Sequence, residues 1–245
     1  MTEDIHPKVS ADMHPDNVRG DAPGAHSARA AMGALYEAEG KIRDMHSQVH
    51  STAMAHQKQM MMPKSKTGAQ ASAPPLVYDR AVSDMVIENG KTIAQSALKT
   101  ADQTIVSLAA TLGRLDAQID GKIMAGKNPA RGAELRAWAA KLDSPFTKMG
   151  ELFQDAAANP TLVAEVLGGE HFLSGISREN HDMLRTVAAH ALAPDETAAR
   201  HETAAAKDQL TKSAKKFTEN AAQVLNSLVN PAPAAIEAIV KRGTK

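Results

Sequence analysis

The 245-residue sequence contains no cysteine. Disulfide bonds, thiolate metal sites and catalysis by a cysteine nucleophile are therefore excluded. Aromatic residues are also scarce, with one tryptophan, two tyrosines and four phenylalanines. Aromatic rings provide much of the burial in compact cores and in small-molecule pockets. From so few of them we infer no small-molecule substrate and no cofactor.

The sequence has no excess of charge and no long apolar run. Its 28 basic residues balance its 28 acidic ones, and it lacks the dense basic stripe of proteins that bind phosphate backbones. Nucleic acid is therefore not expected as the principal ligand. No stretch of about eighteen apolar residues predicts a membrane span, so no membrane partner is expected. The start MTEDIHPKVS is unlike a signal peptide, which predicts synthesis in the cytoplasm.

What the sequence does contain is helical periodicity throughout, rich in Ala, Leu, Met and Lys, without strand-like alternation. It predicts an all-α protein in which long coiled-coil-like helices flank a small helical domain, preceded by an extended N-terminal arm. The predicted segments are an arm (1–26), an amphipathic His/Met-rich helix (27–62), a Pro/Ala/Ser linker (63–77), a long helix (78–126), the small helical domain (127–192), and a long C-terminal helix followed by a short amphipathic one (193–245).

The arm is predicted from its helix-breaking residues. Pro7, Pro15, Gly20, Pro23 and Gly24 interrupt any period. A segment with so few apolar residues cannot bury enough surface to fold alone. We therefore expect the arm to become ordered only against a partner or a neighbouring copy.

Two long helices carry apolar seams with alternating steps of three and four residues, the spacing of coiled coils. A helix over 78–126 would be on the order of 70 Å long, at about 1.5 Å per residue. We expect such seams to require neighbouring chains for their burial. The seam residues are Val82, Val86, Ile93, Ile105, Leu108, Leu112, Leu115 and Ile119 in the first helix, and Leu210, Phe217, Val224 and Leu228 in the second.

The segment 127–192 reads as several short helices. Asn128, Ser144 and Asn159 each precede a proline, which is typical of an N-cap followed by Pro at the first helical position. The large apolar residues predict a compact core for this domain. They are Leu135, Trp138, Leu142, Phe146, Met149, Leu152, Phe153, Leu162, Val163, Val166, Leu167, Phe172 and Leu173.

The most chemical stretch is DMHSQVHSTAMAHQKQMMMP (44–63), with three histidines and five methionines. On a helix, His46, His50 and Met54 fall in one column at steps of four. Imidazole and thioether ligands suit soft metals, so these three are the candidate metal ligands. Two histidines make an incomplete zinc site, and methionines also form adaptable contact surfaces. We favour an interaction face and keep a metal site as the alternative.

No catalytic motif is complete. The sequence NGKT (89–92) lacks the first glycine of a phosphate-binding loop, and HETAA (201–205) lacks the second histidine of the zinc-protease motif. These features predict a non-enzymatic structural or assembly protein whose partner is itself or a multi-subunit complex. An internal, scaffold-like or connector-associated component of a phage particle would fit. The alternatives are a helical metal-binding module or small helical enzyme, and an exported effector that binds a host protein.

Overall fold

The all-α prediction is confirmed. The computed structural model describes residues 9–61, 76 and 78–229, of which 59–61 by their backbone alone. In this part of the chain there are seven α-helices, three short 3-10 helices and no strand. The α-helices are α1 (Ala25–Met61), α2 (Arg80–Met124), α3 (Pro129–Ala140), α4 (Pro145–Gln154), α5 (Pro160–Leu167), α6 (Arg178–Leu192) and α7 (Pro194–Asn226).

The chain divides into two compact units. Unit 1 comprises Met1–Val18, Ser27–Ile105 and Asp208–Lys245, and unit 2 comprises Arg19–His26 and Val106–Lys207. Helices α2 and α7 each contribute to both. The predicted small helical domain of 127–192 lies within unit 2, and its independence from the flanking residues stays a prediction. Except for Leu76, the predicted linker (63–77) lies outside the described residues, as does the predicted short helix after residue 229.

The predicted helix starts are found where the prolines lie. Asn128, Ser144 and Asn159 are the N-cap residues of α3, α4 and α5, yet none of their side chains makes a capping hydrogen bond. Proline has a fixed φ and no N–H group, so it can define the first turn without that bond. Ser177 does cap α6, because its Oγ accepts a hydrogen bond from Asn180 N at 3.2 Å.

The core of unit 2 is formed by α3 to α6 and the end of α2. Fully buried residues at its centre are Ile123, Met149, Phe153, Val163 and Val166. The sequence prediction is wrong for three of the large residues assigned to this core. Trp138 is 45% exposed, Phe172 63% and Leu173 46%. Phe172 and Leu173 are consecutive in the short 3-10 helix His171–Ser174, which leaves both of these side chains largely exposed.

In unit 1, α7 connects to α1 through a buried carboxylate. Glu39 is fully buried, and its Oε1 accepts hydrogen bonds from Arg43 Nε at 2.7 Å and Asn220 Nδ2 at 3.0 Å. A buried carboxylate is costly unless it is paired and hydrogen-bonded. The requirement to satisfy Glu39 therefore favours one register between the two helices.

Most seam residues are buried by the chain itself. Val86, Leu108, Leu115, Ile119, Leu210, Phe217 and Leu228 are buried, Ile93, Ile105, Leu112 and Val224 are half-buried, and Val82 is exposed. The expectation that these seams need other chains for burial is therefore wrong. The periodicity identified which faces are apolar, but it could not specify that the same chain covers them. The coiled-coil character of the seams stays a prediction.

The described part of the arm makes its contacts with the same chain, and whether a neighbouring copy also holds it stays a prediction. In unit 1, Met13 is fully buried, and Asp12 binds α7 through Lys216 Nζ at 2.6 Å and through Gln209 Nε2, which donates to its carbonyl at 3.1 Å. In unit 2, Thr203 Oγ1 donates to the carbonyl of Pro23 at 3.2 Å. The arm, which has few apolar residues, is thus held by polar contacts with α7 in addition to the burial of Met13.

Candidate functional site

The histidines of the candidate metal column lie on the second half of α1. The rings of His46 and His50 are stacked, with centroids 5.8 Å apart and an interplanar angle of 13°. This is the spacing predicted for residues four apart on a helix. Met54, the third candidate ligand, is 37% exposed.

Each histidine has a hydroxyl partner from another segment of unit 1. His46 Nε2 lies 2.8 Å from Ser227 Oγ, just after α7, and His50 Nδ1 lies 3.0 Å from Tyr78 OH, just before α2. The two imidazoles therefore connect α1 to the residue that follows α7 and to a residue that precedes α2. Sequence reasoning missed Tyr78 and Ser227, because they are 28 and 181 residues away from their partners.

This geometry explains the histidines without a metal ion. The part of the chain that the structure describes has no group of three or more His, Asp or Glu residues placed to hold an ion. A pair of imidazoles whose nitrogens already face protein hydroxyls is an incomplete ligand set for zinc. The column acts as a structural junction in unit 1, and metal binding by it stays a prediction.

Beside the histidines is a concavity of about 650 Å³, which we call the α1–α2 groove. Its lining includes both apolar and polar side chains. Val82 and Met85 on its wall are 39% and 57% exposed. The lining residues are Met45, Gln48, Val49, Thr52, Ala53, His56, Tyr78, Asp79, Val82, Met85, Val86 and Asn89.

Unit 2 has a smaller concavity of about 450 Å³, which we call the Trp138 hollow. It is lined by Arg131, Glu134, Leu135, Trp138, Ala158, Asn159, Pro160, Thr161 and Leu162. The 3-10 helix that packs against α3 carries the exposed pair Phe172 and Leu173, which we call the Phe172 knob. Exposed aromatic side chains are enriched at protein–protein interfaces.

The two walls of the Trp138 hollow are fastened together by Glu165. This residue of α5 is 2% exposed, and its carboxylate accepts hydrogen bonds from Arg136 Nη1 at 2.8 Å and from Asn128 N at 2.7 Å. A charge-assisted pair of this kind is short and directional. This ion pair therefore joins α3 to α5, and residues of both helices line the hollow.

A histidine near the start of α6 contacts the backbone of the turn that precedes this helix. His171 Nδ1 lies 3.1 Å from the carbonyl oxygen of Ile176, which closes the turn between the 3-10 helix and α6. The sequence signal for the Phe172 knob was the run HFLSG, in which two large apolar residues stand immediately before a helix break.

None of the described helices combines the length and the apolarity that a lipid bilayer span requires. Comparison with protein-family models, curated proteins and solved structures gives no match to this chain. Any functional proposal therefore depends on the geometry of the chain itself.

Proposed function

We propose that the protein is a non-enzymatic helical structural protein that acts by self-association, as a subunit of a larger assembly. The observation that supports this proposal most is the presence, in unit 2, of both the Phe172 knob and the Trp138 hollow. The chain has seven aromatic residues, and two of them, Trp138 and Phe172, are substantially exposed. In a chain so poor in rings, exposed aromatic residues are best explained by a contact that buries them.

The knob and the hollow favour a head-to-tail contact between copies. An apolar side chain on one molecule that fits a pocket elsewhere on an identical molecule makes a heterologous interface, which can repeat. Full burial of a phenylalanine side chain stabilises a contact by roughly 1.5–3 kcal/mol. A contact of this size is weak alone and becomes effective when many copies repeat it, as in a particle or scaffold. Membership of a phage particle remains part of this proposal.

Sedimentation of the purified full chain over a range of concentrations tests the proposal. We expect reversible oligomers for the unchanged chain. Phe172→Ser on the knob and Ala158→Lys in the hollow should each weaken self-association by about tenfold or more, since each removes one half of an apolar contact worth about 1.5–3 kcal/mol. Val106→Ser is the matched control, because Val106 is 69% exposed in the same unit but lies in neither feature.

Mixing the two variants sharpens the experiment. Phe172→Ser retains an intact hollow and Ala158→Lys retains an intact knob, so an equimolar mixture should form dimers at concentrations at which each variant alone is still monomeric. A monomer at all concentrations for the unchanged chain would contradict self-association. It would favour docking to a different protein, such as the partner of an exported effector.

A further inference from the structure

In unit 2, one face of α3 lines the Trp138 hollow. The four residues of α3 in this lining are Arg131, Glu134, Leu135 and Trp138. They are spaced by one to three positions along the helix. At about 100° per residue, their directions fall within an arc of about 100° around the helix axis. The hollow therefore occupies a single side of this helix.

Two glycines place the Phe172 knob on the other side of α3. Gly169 lies shortly before the 3-10 helix that carries the knob, and Gly175 is its C-cap residue. A Cβ atom at Gly169 would lie 2.8 Å from Arg136 Cδ, and one at Gly175 would lie 3.1 Å from Ala140 Cα. The absence of a Cβ atom at both positions permits this close approach. The backbone on both sides of the knob is therefore packed against Arg136 and Ala140.

The knob and the hollow thus lie on nearly opposite faces of α3. The midpoint between Arg136 and Ala140 is about 170° around the helix from the midpoint of the residues that line the hollow, at about 100° per residue. A helix with its side chains is about 10–12 Å thick, so Phe172 cannot reach around it. Phe172 is accordingly 63% exposed and does not line the hollow of its own chain. The hollow can receive a Phe172 side chain only from another copy.

This placement excludes a reciprocal dimer of unit 2. In a two-fold dimer, each knob would enter the hollow of the other copy at the same time, and this requires the knob and the hollow to share one side of the unit. A copy whose knob is engaged on one side of α3 leaves its hollow open on the other side. The second contact therefore has to be made with a different copy.

The charges beside the two features are complementary. Arg131 on the rim of the hollow and Glu170 before the knob are both exposed, and among the described residues neither has an ion-pair partner. The Cα atom of Glu170 lies within about 7 Å of that of Phe172, at roughly 3.3–3.6 Å per residue. A seated Phe172 therefore brings Glu170 to the rim. Because Glu134, about one turn after Arg131, repels Glu170, the orientation with Glu170 beside Arg131 is favoured.

We infer, on the basis of the self-association proposed above, that each copy binds two different neighbours at once. Phe172 of one copy enters the Trp138 hollow of the next, with Glu170 beside Arg131 of that neighbour, while its own hollow receives the Phe172 side chain of a third copy. The result is a directional row in which one end exposes a knob and the other end a hollow. Such a row extends beyond a dimer, and it forms a ring where the successive rotations close.

Sedimentation of the full chain, alone and mixed with its variants, tests this inference. The unchanged chain should form assemblies larger than two chains as its concentration rises. Phe172→Ser retains only the hollow and Ala158→Lys only the knob, so each ends the row that it joins. With one variant chain for every unchanged chain, the mean assembly should fall to about two chains or fewer, because a row can contain only one such end. Val106→Ser, exposed in the same unit but in neither feature, should join rows without shortening them.

Each outcome of this experiment is decisive. Growth beyond two chains that both variants shorten and the control does not supports the inference. Assembly that stops at two chains, or growth that either variant fails to shorten, would overturn it while self-association itself stands. A monomer at all concentrations would contradict the proposed function and this inference with it. Circular dichroism checks that the variants retain the helical content of the unchanged chain.

Charge reversal tests the orientation of the contact. Arg131→Glu and Glu170→Arg should each weaken self-association by about twofold to fivefold, the usual contribution of an exposed ion pair. The double variant Arg131→Glu/Glu170→Arg should recover the affinity of the unchanged chain, because every contact again joins opposite charges. Thermal unfolding of each variant separates a loss of affinity from a loss of stability. A double variant that associates no better than either single variant would overturn the assigned orientation.

Discussion

Among the described residues, each unit has one buried glutamate, and the two units satisfy its carboxylate in different ways. In unit 1, Glu39 pairs with Arg43, which lies one turn later on the same helix, and only the neutral Asn220 comes from elsewhere. In unit 2, Glu165 takes both partners from other elements, Arg136 and the backbone N–H of Asn128. The difference teaches that a buried carboxylate can be paired within one long helix or can connect two short helices.

This contrast agrees with how each unit is built. Unit 1 consists of long helices whose apolar faces extend over many turns, so a polar contact has to select only the register. Unit 2 contains, besides parts of α2 and α7, the short helices α3 to α6 joined by turns, and a short helix has too little apolar face to fix its own orientation. A charge-assisted pair between α3 and α5 supplies the missing constraint.

The largest predicted effect comes from breaking these carboxylates. Glu165→Ala and Glu39→Ala should each lower the free energy of unfolding by about 3 kcal/mol, near the lower end of the range for removing one partner of a buried pair, because Arg136 and Arg43 are 22% and 27% exposed to water. Glu165→Ala should cost more, since it also leaves a backbone N–H without its partner.

Urea unfolding gives these free energies, and hydrogen exchange shows which unit opens. The controls are Glu165→Gln and Glu39→Gln, which retain an acceptor and should lose less. A greater loss for Glu39→Ala than for Glu165→Ala would contradict the comparison.

A smaller effect is expected at a glycine in unit 2. Gly126 follows α2, and a Cβ atom there would overlap the backbone of Pro160 at the start of α5. Gly126→Ala should therefore cost about 1–3 kcal/mol, as is usual for overpacking. Gly113→Ala is the matched control, because nothing lies within 4 Å of a Cβ atom at that helical position. It should raise stability by about 0.5–1 kcal/mol, because alanine favours helix.

Thermal unfolding of the two glycine variants measures both changes. If Gly126→Ala proved as stable as Gly113→Ala, the close approach of the α2 terminus to α5 would be incorrect. The turn would then have to adopt a different path from the one described.

The smallest effects concern two surface ion pairs, one in each unit. A hydrogen bond from Lys216, and then its charge, lower the pKa of Asp12 below its ordinary value of 3.8. A hydrogen bond from Lys122, and then one from the backbone, lower the pKa of Glu196 below its ordinary value of 4.5. Because both values are lowered, each pair stabilises the fold above the ordinary value, and the contribution is lost as the pH falls through the folded value.

Carboxyl titration by NMR tests this contrast. Lys216→Met should return the pKa of Asp12 toward 3.8, whereas Lys122→Met should return that of Glu196 only part of the way toward 4.5, because its backbone hydrogen bond remains. Salt of about 1 M, where the screening length is roughly 3 Å, should raise the pKa of Asp12 more, since its side chain is 77% exposed and that of Glu196 23%. Equal responses would mean that the backbone bond contributes nothing.

Much of the fold could be predicted from the sequence, and the failures have a common cause. Proline after Asn or Ser located the starts of α3, α4 and α5, because the fixed φ of proline acts locally. The three core residues that proved exposed, Trp138, Phe172 and Leu173, were assigned by hydrophobicity alone. Hydrophobicity indicates how favourable the burial of a side chain would be. It does not indicate whether the backbone of a short turn places that side chain in the core.

The sequence was similarly informative and incomplete for the candidate sites. The spacing of His46 and His50 predicted their stacking, because it depends only on helix geometry. The sequence around their partners Ser227 and Tyr78 does not predict these hydrogen bonds. Any hydroxyl that the fold places near an imidazole can form one. The ion pair that joins α3 to α5 depends on the burial of Glu165. The sequence shows only that Glu165 lies within an apolar run, which does not predict that it is buried.

By itself, the sequence determined that the chain is helical, where its short helices begin and which faces of its long helices are apolar. These properties arise from backbone geometry and from periods of three to four residues, so residues close together in the sequence determine them. Only the tertiary structure decided that the apolar faces meet within one chain, that the arm packs on α7, and that Glu39 and Glu165 are buried. Those outcomes depend on contacts between distant residues, because a periodic apolar face fits many partners almost equally well and polar contacts such as that of Asn220 with Glu39 select among them.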